Sequence, residues 1–188
     1  MFFNLPPLLT WARIVAIPLI VGVFHLPLLE PQRNLIATVL FVVVALTDWA
    51  DGYLARRLNM TSSFGAFLDP VADKFLVCAS LLILVELARV QSLVALIIIG
   101  REIAISALRE WMAQIGASRS VAVHRLGKFK TMVQMLAIPF LLYHGTLFEV
   151  IDTQRWGTVL IYASAVLTIW SMAYYLKKAL PEIRSRVS

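Results

Sequence analysis

The chain has one cysteine, Cys78, set inside an apolar run. A lone thiol closes no disulfide within the chain and builds no cysteine metal cluster. A small, buried apolar residue is its simplest role. Charge is also scarce: Asp, Glu, Lys and Arg make up 15% of the residues, against about a quarter in a soluble domain. Histidine occurs three times, and no dense DDxxD-like run is present. Neither an internal repeat nor a low-complexity tract divides the sequence. The opening MFFNLPPLLTWAR has no basic leader and no small-residue cleavage site, so no removable signal peptide is expected.

What fills the chain is oil. Hydrophobic residues reach 60%, and mean hydropathy is +0.82. Spanning a bilayer takes about 20 mostly apolar residues, and stretches such as NLIATVLFVVVALTDWA and WGTVLIYASAVLTIWSMAYYL suit that role. The pattern predicts an all-α integral membrane protein, a single domain over 1–188. Its six transmembrane helices are expected near Leu8–Leu28, Asn34–Arg57, Phe67–Leu87, Leu93–Ala113, Phe129–Leu147 and Trp156–Leu176. Asn4 followed by Pro6 and Pro7 reads as a cap and a proline-rich first turn, compatible with a short N-terminal interfacial helix. Pro18 and Pro139 would kink spans one and five.

Basic residues orient the spans. Arg13, Arg56, Arg57, Lys74, Arg109, Arg119, Arg125, Lys128, Lys130, Lys177, Lys178, Arg184 and Arg186 fall on one side. Arg33, Arg89 and Arg155 fall on the other, with Glu30, Glu86, Glu149 and Asp152. The positive-inside rule makes the first side cytoplasmic, so both termini and the second–third and fourth–fifth connections should lie there, in a cytoplasmic (inner) membrane. The tail LKKALPEIRSRVS reads as a topology determinant touching anionic headgroups. Trp11, Trp111, Trp156, Trp170, Tyr174 and Tyr175 read mostly as interfacial anchors. No nucleic-acid partner is expected.

Against this background, TDWADGYLARRLNMTSSFGAFLDPVADK carries four aspartates. On a helix, Asp48, Asp51, Gly52 and Ala55 share one face, with Arg56 at its edge. On the next, Gly65, Asp69 and Asp73 share a face. The short polar linker LNMTSSF predicts that the two helices pack side by side and antiparallel, which would bring four carboxylates together at the cytoplasmic surface. Such a cluster repels itself and needs a cation. All-oxygen ligands favour Mg²⁺ or Mn²⁺ over zinc, and four carboxylates suffice for two ions roughly 4 Å apart. Gly52, Ala55 and Gly65 clear room for a bulky group, and Arg56 offers a donor to a phosphate oxygen. Ionisable residues at membrane depth are costly and mark function.

The spacing Asp48-x-x-Asp51-Gly52-x-x-Ala55-Arg56, eight residues, then Gly65-x-x-x-Asp69-x-x-x-Asp73 resembles the signature of the CDP-alcohol phosphotransferase family at every position. NLPPLLTWAR, REIAISALREWMA and SVAVHRLGKFKTMVQM look like its bacterial branch that makes phosphatidylglycerophosphate. The resemblance implies that CDP-diacylglycerol is attacked at its β-phosphorus by a hydroxyl of sn-glycerol 3-phosphate, with CMP leaving. It implies metal ligation by Asp48, Asp51, Asp69 and Asp73, with Asp73 also acting as general base. It assigns Gly52, Ala55, Arg56 and Gly65 to CDP-diacylglycerol, and it implies a homodimer.

A small dianionic acceptor needs cations beside the metals, and Arg109, Arg119, Arg125, Lys128 and Lys130 are placed to supply them. The resemblance points to Arg109, Arg119 and Lys128 first, with Lys130 beside them. Arg101, deeper in span four, is expected to pair with a carboxylate of the cluster or near Glu102 and to stiffen the site. Arg13 can reach the donor phosphate or snorkel to the interface. His124 reads as a neutral interface residue, and His25 and His144 fall on the opposite side. Other readings are the same chemistry with serine, inositol phosphate or phosphatidylglycerol as acceptor, a prenyltransferase, and a cation transporter. The last would place carboxylates at the midplane in both halves.

Overall fold

A computed structural model describes the backbone of residues 5–58, 63–114 and 125–187, and within these the side chains of 11, 13–47, 68, 70–114 and 129–181. Six helices make up nearly all of it: α1 (Leu5–Gly22), α2 (Glu30–Leu58), α3 (Ser63–Glu86), α4 (Ser92–Gln114), α5 (Arg125–Tyr143) and α6 (Thr153–Val187). Each overlaps one of the six expected segments. Asn4 lies outside the described residues. From Leu5 onward α1 is one continuous helix through Pro6, Pro7 and Pro18, with no separate interfacial helix.

The chain departs from a purely helical reading between α5 and α6. Thr146–Leu147 (β1) and Ile151–Asp152 (β2) pair antiparallel, Thr146 opposite Asp152. Phe148 and Glu149 take positive φ, 52° and 58°, to close the turn. Thr153 then clasps Gly145: its amide and its hydroxyl both donate to the Gly145 carbonyl, at 3.0 and 2.7 Å. A short connector between antiparallel helices must turn sharply, and the ribbon satisfies its backbone groups.

The helices pack through stripes that repeat every three or four residues. α1 turns Ile17 and Ile20 inward, α2 Ala37, Phe41 and Val44, α3 Leu81 and Leu84, and α5 Ala137, Ile138 and Leu141. α5 lies along α6, and close approach there depends on Gly157: a Cβ at that position would stand 2.7 Å from Leu141 Cγ and 3.1 Å from the Leu141 backbone nitrogen. α1 packs against both α2 and α3. The side-by-side packing of α2 on α3 expected from their short linker concerns the last turns of α2 and the first turns of α3, whose side chains lie outside the described residues. The inward apolar face of α1 is covered by both helices.

At the end of the bundle away from the acidic motif, Arg89 ties the elements together. Its guanidinium donates to the carbonyls of Leu141 and Leu142 at 3.2 and 2.8 Å, to Asn34 Oδ1 at 2.8 Å and to Glu30 Oε1 at 3.1 Å. It also lies over the Phe24 ring. Burial pushes its pKa below the usual arginine value, opposed by Glu30.

Large apolar side chains point outward from every helix: Val15 and Leu19, Leu35 and Val43, Phe75 and Leu82, Leu96 and Ile103, Met132 and Leu136, Val166 and Ile169. The segment Thr153–Pro181 is long and apolar enough to cross a membrane, while Arg13–His25 and Phe129–Tyr143 are shorter apolar stretches.

Candidate active site

Most of the polar motif falls where only the backbone, or nothing, is described. Asp48, Asp51, Gly52, Ala55 and Arg56 stand on the last turns of α2, and Gly65 and Asp69 on the first turns of α3, with their side chains outside the described residues. Lys128 and Arg125 are on the first turn of α5 in the same condition. Arg119 and His124 lie outside the described residues altogether. Among the described residues, no group of three His, Cys, Asp or Glu is close enough to hold a metal ion.

Asp73 is described, and it anchors the site. It follows Ala72, which is fully buried, and its side chain is 41% exposed. Arg13 Nη1 donates to Asp73 Oδ1 at 3.1 Å. Arg13 occupies the inward stripe of α1 one turn before Ile17, and its side chain is only 4% exposed. It therefore neither snorkels to the interface nor stands out in solvent. A buried guanidinium needs a carboxylate partner, and α1 meets Asp73 because it packs along α3.

Asp73 borders a cavity of about 150 Å³ whose other walls are Lys74, Val77, Glu102, Thr131, Gln134 and Met135. Three helices contribute: α3, α4 and α5. On the same cavity, Glu102 Oε1 accepts hydrogen bonds from Arg101 Nη1 at 3.2 Å and from Lys130 Nζ. Lys130 is fully buried and stands behind Glu102 rather than on the cavity wall. Arg101 takes a place in the buried stripe of α4 between Ile98 and Ile105. Its Nη2 donates to Ser171 Oγ at 3.1 Å, and its guanidinium lies 5.6 Å from the centre of the Tyr175 ring. The expected stiffening role of Arg101 thus takes a definite form, with Glu102 itself as the carboxylate.

Arg109, two turns further along α4, sits 5.5 Å from the centre of the same Tyr175 ring and donates to its hydroxyl at 3.3 Å. Around them Ile105, Met112, Tyr175 and Ala179 form a small apolar cluster between α4 and α6. Of the predicted acceptor cations with described side chains, Arg109 is half-buried and Lys130 is engaged by Glu102.

Glu102, Lys74, Thr131 and Gln134 were not singled out as site residues by sequence reasoning. Lys74 was counted only as a topology charge, although it directly follows Asp73. Glu102 carried a usable signal: it is an acid next to Arg101 in the middle of an apolar helix, an expensive placement. Thr131 and Gln134 carried none.

The chemistry open to this arrangement is anionic on one wall and cationic behind the other. Asp73, paired with Arg13, is a carboxylate suited to a hard cation or to a hydroxyl proton. Lys74 follows it on α3, and on the α4–α5 side Arg101 and Lys130 back Glu102.

Comparison with known proteins agrees. The profile of the CDP-alcohol phosphatidyltransferase family matches residues 3–170. The CDP-diacylglycerol–glycerol-3-phosphate 3-phosphatidyltransferase of Escherichia coli K12 is 46% identical over 181 residues, 95% of this chain and 96% of that protein. The enzyme of the same name from Haemophilus influenzae is 46% identical, covering 95% of each. That from Salmonella choleraesuis is 45% identical, covering 95% of this chain and 96% of its own. The chain belongs to the CDP-alcohol phosphatidyltransferase family.

Proposed function

We propose that this protein transfers a phosphatidyl group from CDP-diacylglycerol to sn-glycerol 3-phosphate, giving phosphatidylglycerol phosphate and CMP. The observation that carries the reading is Asp73, the last aspartate of the family signature, held by a buried arginine on the wall of a cavity that Glu102, Thr131 and Gln134 also line. Near-complete coverage by relatives that bear this enzyme name supports the acceptor.

The donor set fits divalent ions. Asp48 and Asp51 are one turn apart on α2, Asp69 and Asp73 one turn apart on α3, and Asp73 borders the cavity. Asp48, Asp51, Asp69 and Asp73 would hold Mg²⁺ or Mn²⁺, most readily as two ions. When bound, such ions neutralise the pyrophosphate and stabilise the departing CMP.

The chain's own residues supply the rest. Gly52, Ala55 and Gly65 give the nucleotide close access, and Arg56 donates to a donor phosphate. Asp73 accepts the proton of the acceptor's primary hydroxyl as that oxygen attacks the β-phosphorus. A general base must come within hydrogen-bond reach of the proton it takes, and Arg13 fixes the carboxylate for this. Arg109, Arg119 and Lys128 take the acceptor's phosphate, flanked by Lys74. Lys130 contributes its charge through Glu102. Helices α3, α4 and α5 hold these groups to a narrow range of geometry, which is where orientation lowers a barrier.

The same reading places the protein in the cytoplasmic membrane as one six-span domain, paired as the homodimer the family resemblance implies, with both termini and the cavity facing the cytoplasm. The outward apolar faces on all six helices support this, since soluble monomers rarely expose contiguous patches beyond a few hundred Å². Acyl chains then stay in lipid while the head group enters the site.

Purified protein in detergent, given CDP-diacylglycerol and Mg²⁺ or Mn²⁺, should release CMP with sn-glycerol 3-phosphate. Release with serine or inositol phosphate instead would overturn the acceptor. No release with any acceptor would overturn the reaction.

A further inference from the structure

The cavity bordered by Asp73 has a second carboxylate, and the two have different supports. Asp73 is held by Arg13 from α1. Glu102 is held by Arg101 from its own helix and by Lys130 from α5, and both donors converge on one oxygen, Oε1. Glu102 is 19% exposed, and it borders the cavity together with Thr131 and Gln134. With Oε1 turned to the buried cations, Oε2 is the oxygen left to face the cavity. Two cations behind a carboxylate fix its orientation and offset the cost of its burial.

The volume, about 150 Å³, is that of a cavity able to hold a benzene-sized molecule, enough for a three-carbon polyol. Such an acceptor carries two hydroxyls. The primary one reacts. The secondary one must go somewhere, and a hydroxyl that gives up water without gaining a partner is penalised.

We propose that Glu102 is the residue that reads the acceptor's second hydroxyl: Oε2 accepts a hydrogen bond from the secondary hydroxyl while Asp73 faces the primary one. This rests on the reaction proposed above and adds to it a specificity-determining residue. Two carboxylates bordering one cavity turn the polyol so that one hydroxyl, and not the other, meets the phosphorus. Lys130 and Arg101 act through Glu102 as positioning residues.

The test compares two acceptors on the purified full chain with CDP-diacylglycerol and Mg²⁺. One is sn-glycerol 3-phosphate. The other is 3-hydroxypropyl phosphate, which has the same carbon chain and phosphate but no secondary hydroxyl. In the unsubstituted protein, kcat/KM should fall roughly 10- to 100-fold for the second acceptor, as for loss of a hydrogen bond to a charged group. In Glu102→Gln, Arg101 and Lys130 claim the amide oxygen and turn the NH₂ into the cavity. The variant should lose about tenfold or more with sn-glycerol 3-phosphate and stay within about twofold with 3-hydroxypropyl phosphate. An equal loss on both acceptors makes Glu102 purely structural and overturns the proposal. So does an unsubstituted protein that uses both acceptors alike, a result that needs no variant to fold. A protein that releases CMP with neither acceptor overturns the reaction itself, and this inference with it.

Discussion

Replacing Lys130 with methionine removes a buried ammonium and keeps most of the stem. Lys130 is about 1% exposed and bonds to Glu102, which also holds Arg101. Breaking a buried ion pair by deleting one partner costs about 3–5 kcal/mol, because the other charge is left buried. Here Glu102 keeps Arg101 at 3.2 Å and some exposure to the cavity, so the lower end applies, about 3 kcal/mol. Deleting Glu102's charge instead leaves two cations facing each other, at a similar cost. The double variant Lys130→Met, Glu102→Gln removes one charge of each sign and should lose less than the sum, with a coupling of about 1–3 kcal/mol. Unfolding in mixed micelles of increasing SDS fraction measures all four proteins. Strictly additive losses would mean that the two side chains do not interact, and the described α4–α5 wall would be wrong.

Three further outcomes follow from the packing and the site. Gly157→Ala should destabilise by about 1 kcal/mol: the helix preference gained, about 1 kcal/mol, is outweighed by an overpacking cost of about 1–3 kcal/mol against the Leu141 backbone, and Gly157→Val should be worse. A more stable alanine variant in the same SDS titration would contradict the α5–α6 spacing. Arg89→Ala should cost about 2–4 kcal/mol, since it orphans Glu30, Asn34 and two carbonyls at once, while leaving the acceptor KM within about twofold; a KM shift without destabilisation would move Arg89 into the site. Asp73→Asn should abolish CMP release, a loss of at least about 100-fold, and retain part of the donor binding measured with radiolabelled CDP-diacylglycerol. Equal loss of both would leave Asp73 as a ligand only.

How much of this was legible beforehand depended on the range of the interaction. Helix positions follow local apolar periodicity, and α2 to α5 lie close to the expected spans. The aspartate motif is likewise local, with spacing that determines which residues share a face. Arg101 could be placed because it interrupts an apolar stripe. The Arg13–Asp73 pair could not: its members are 60 positions apart, and they meet because α1 packs along α3. Glu102 and Lys130 are 28 positions apart and meet through the crossing of α4 and α5, which no single helix pattern encodes. The sequence offers Lys130 as an acceptor cation, and its bond to Glu102 is a packing detail that charge does not reveal. The β1–β2 ribbon escaped notice because two-residue strands leave no period to read.

The central claim is that four aspartates on α2 and α3 cradle divalent ions against a lipid pyrophosphate. Electron paramagnetic resonance of Mn²⁺ titrated into chelator-treated protein tests it most directly. Two bound Mn²⁺ per chain with a spin-coupled signal, lost in Asp69→Asn, is the expected result. Mn²⁺ that stays free, or binds the Asp69→Asn protein equally well, would contradict the claim.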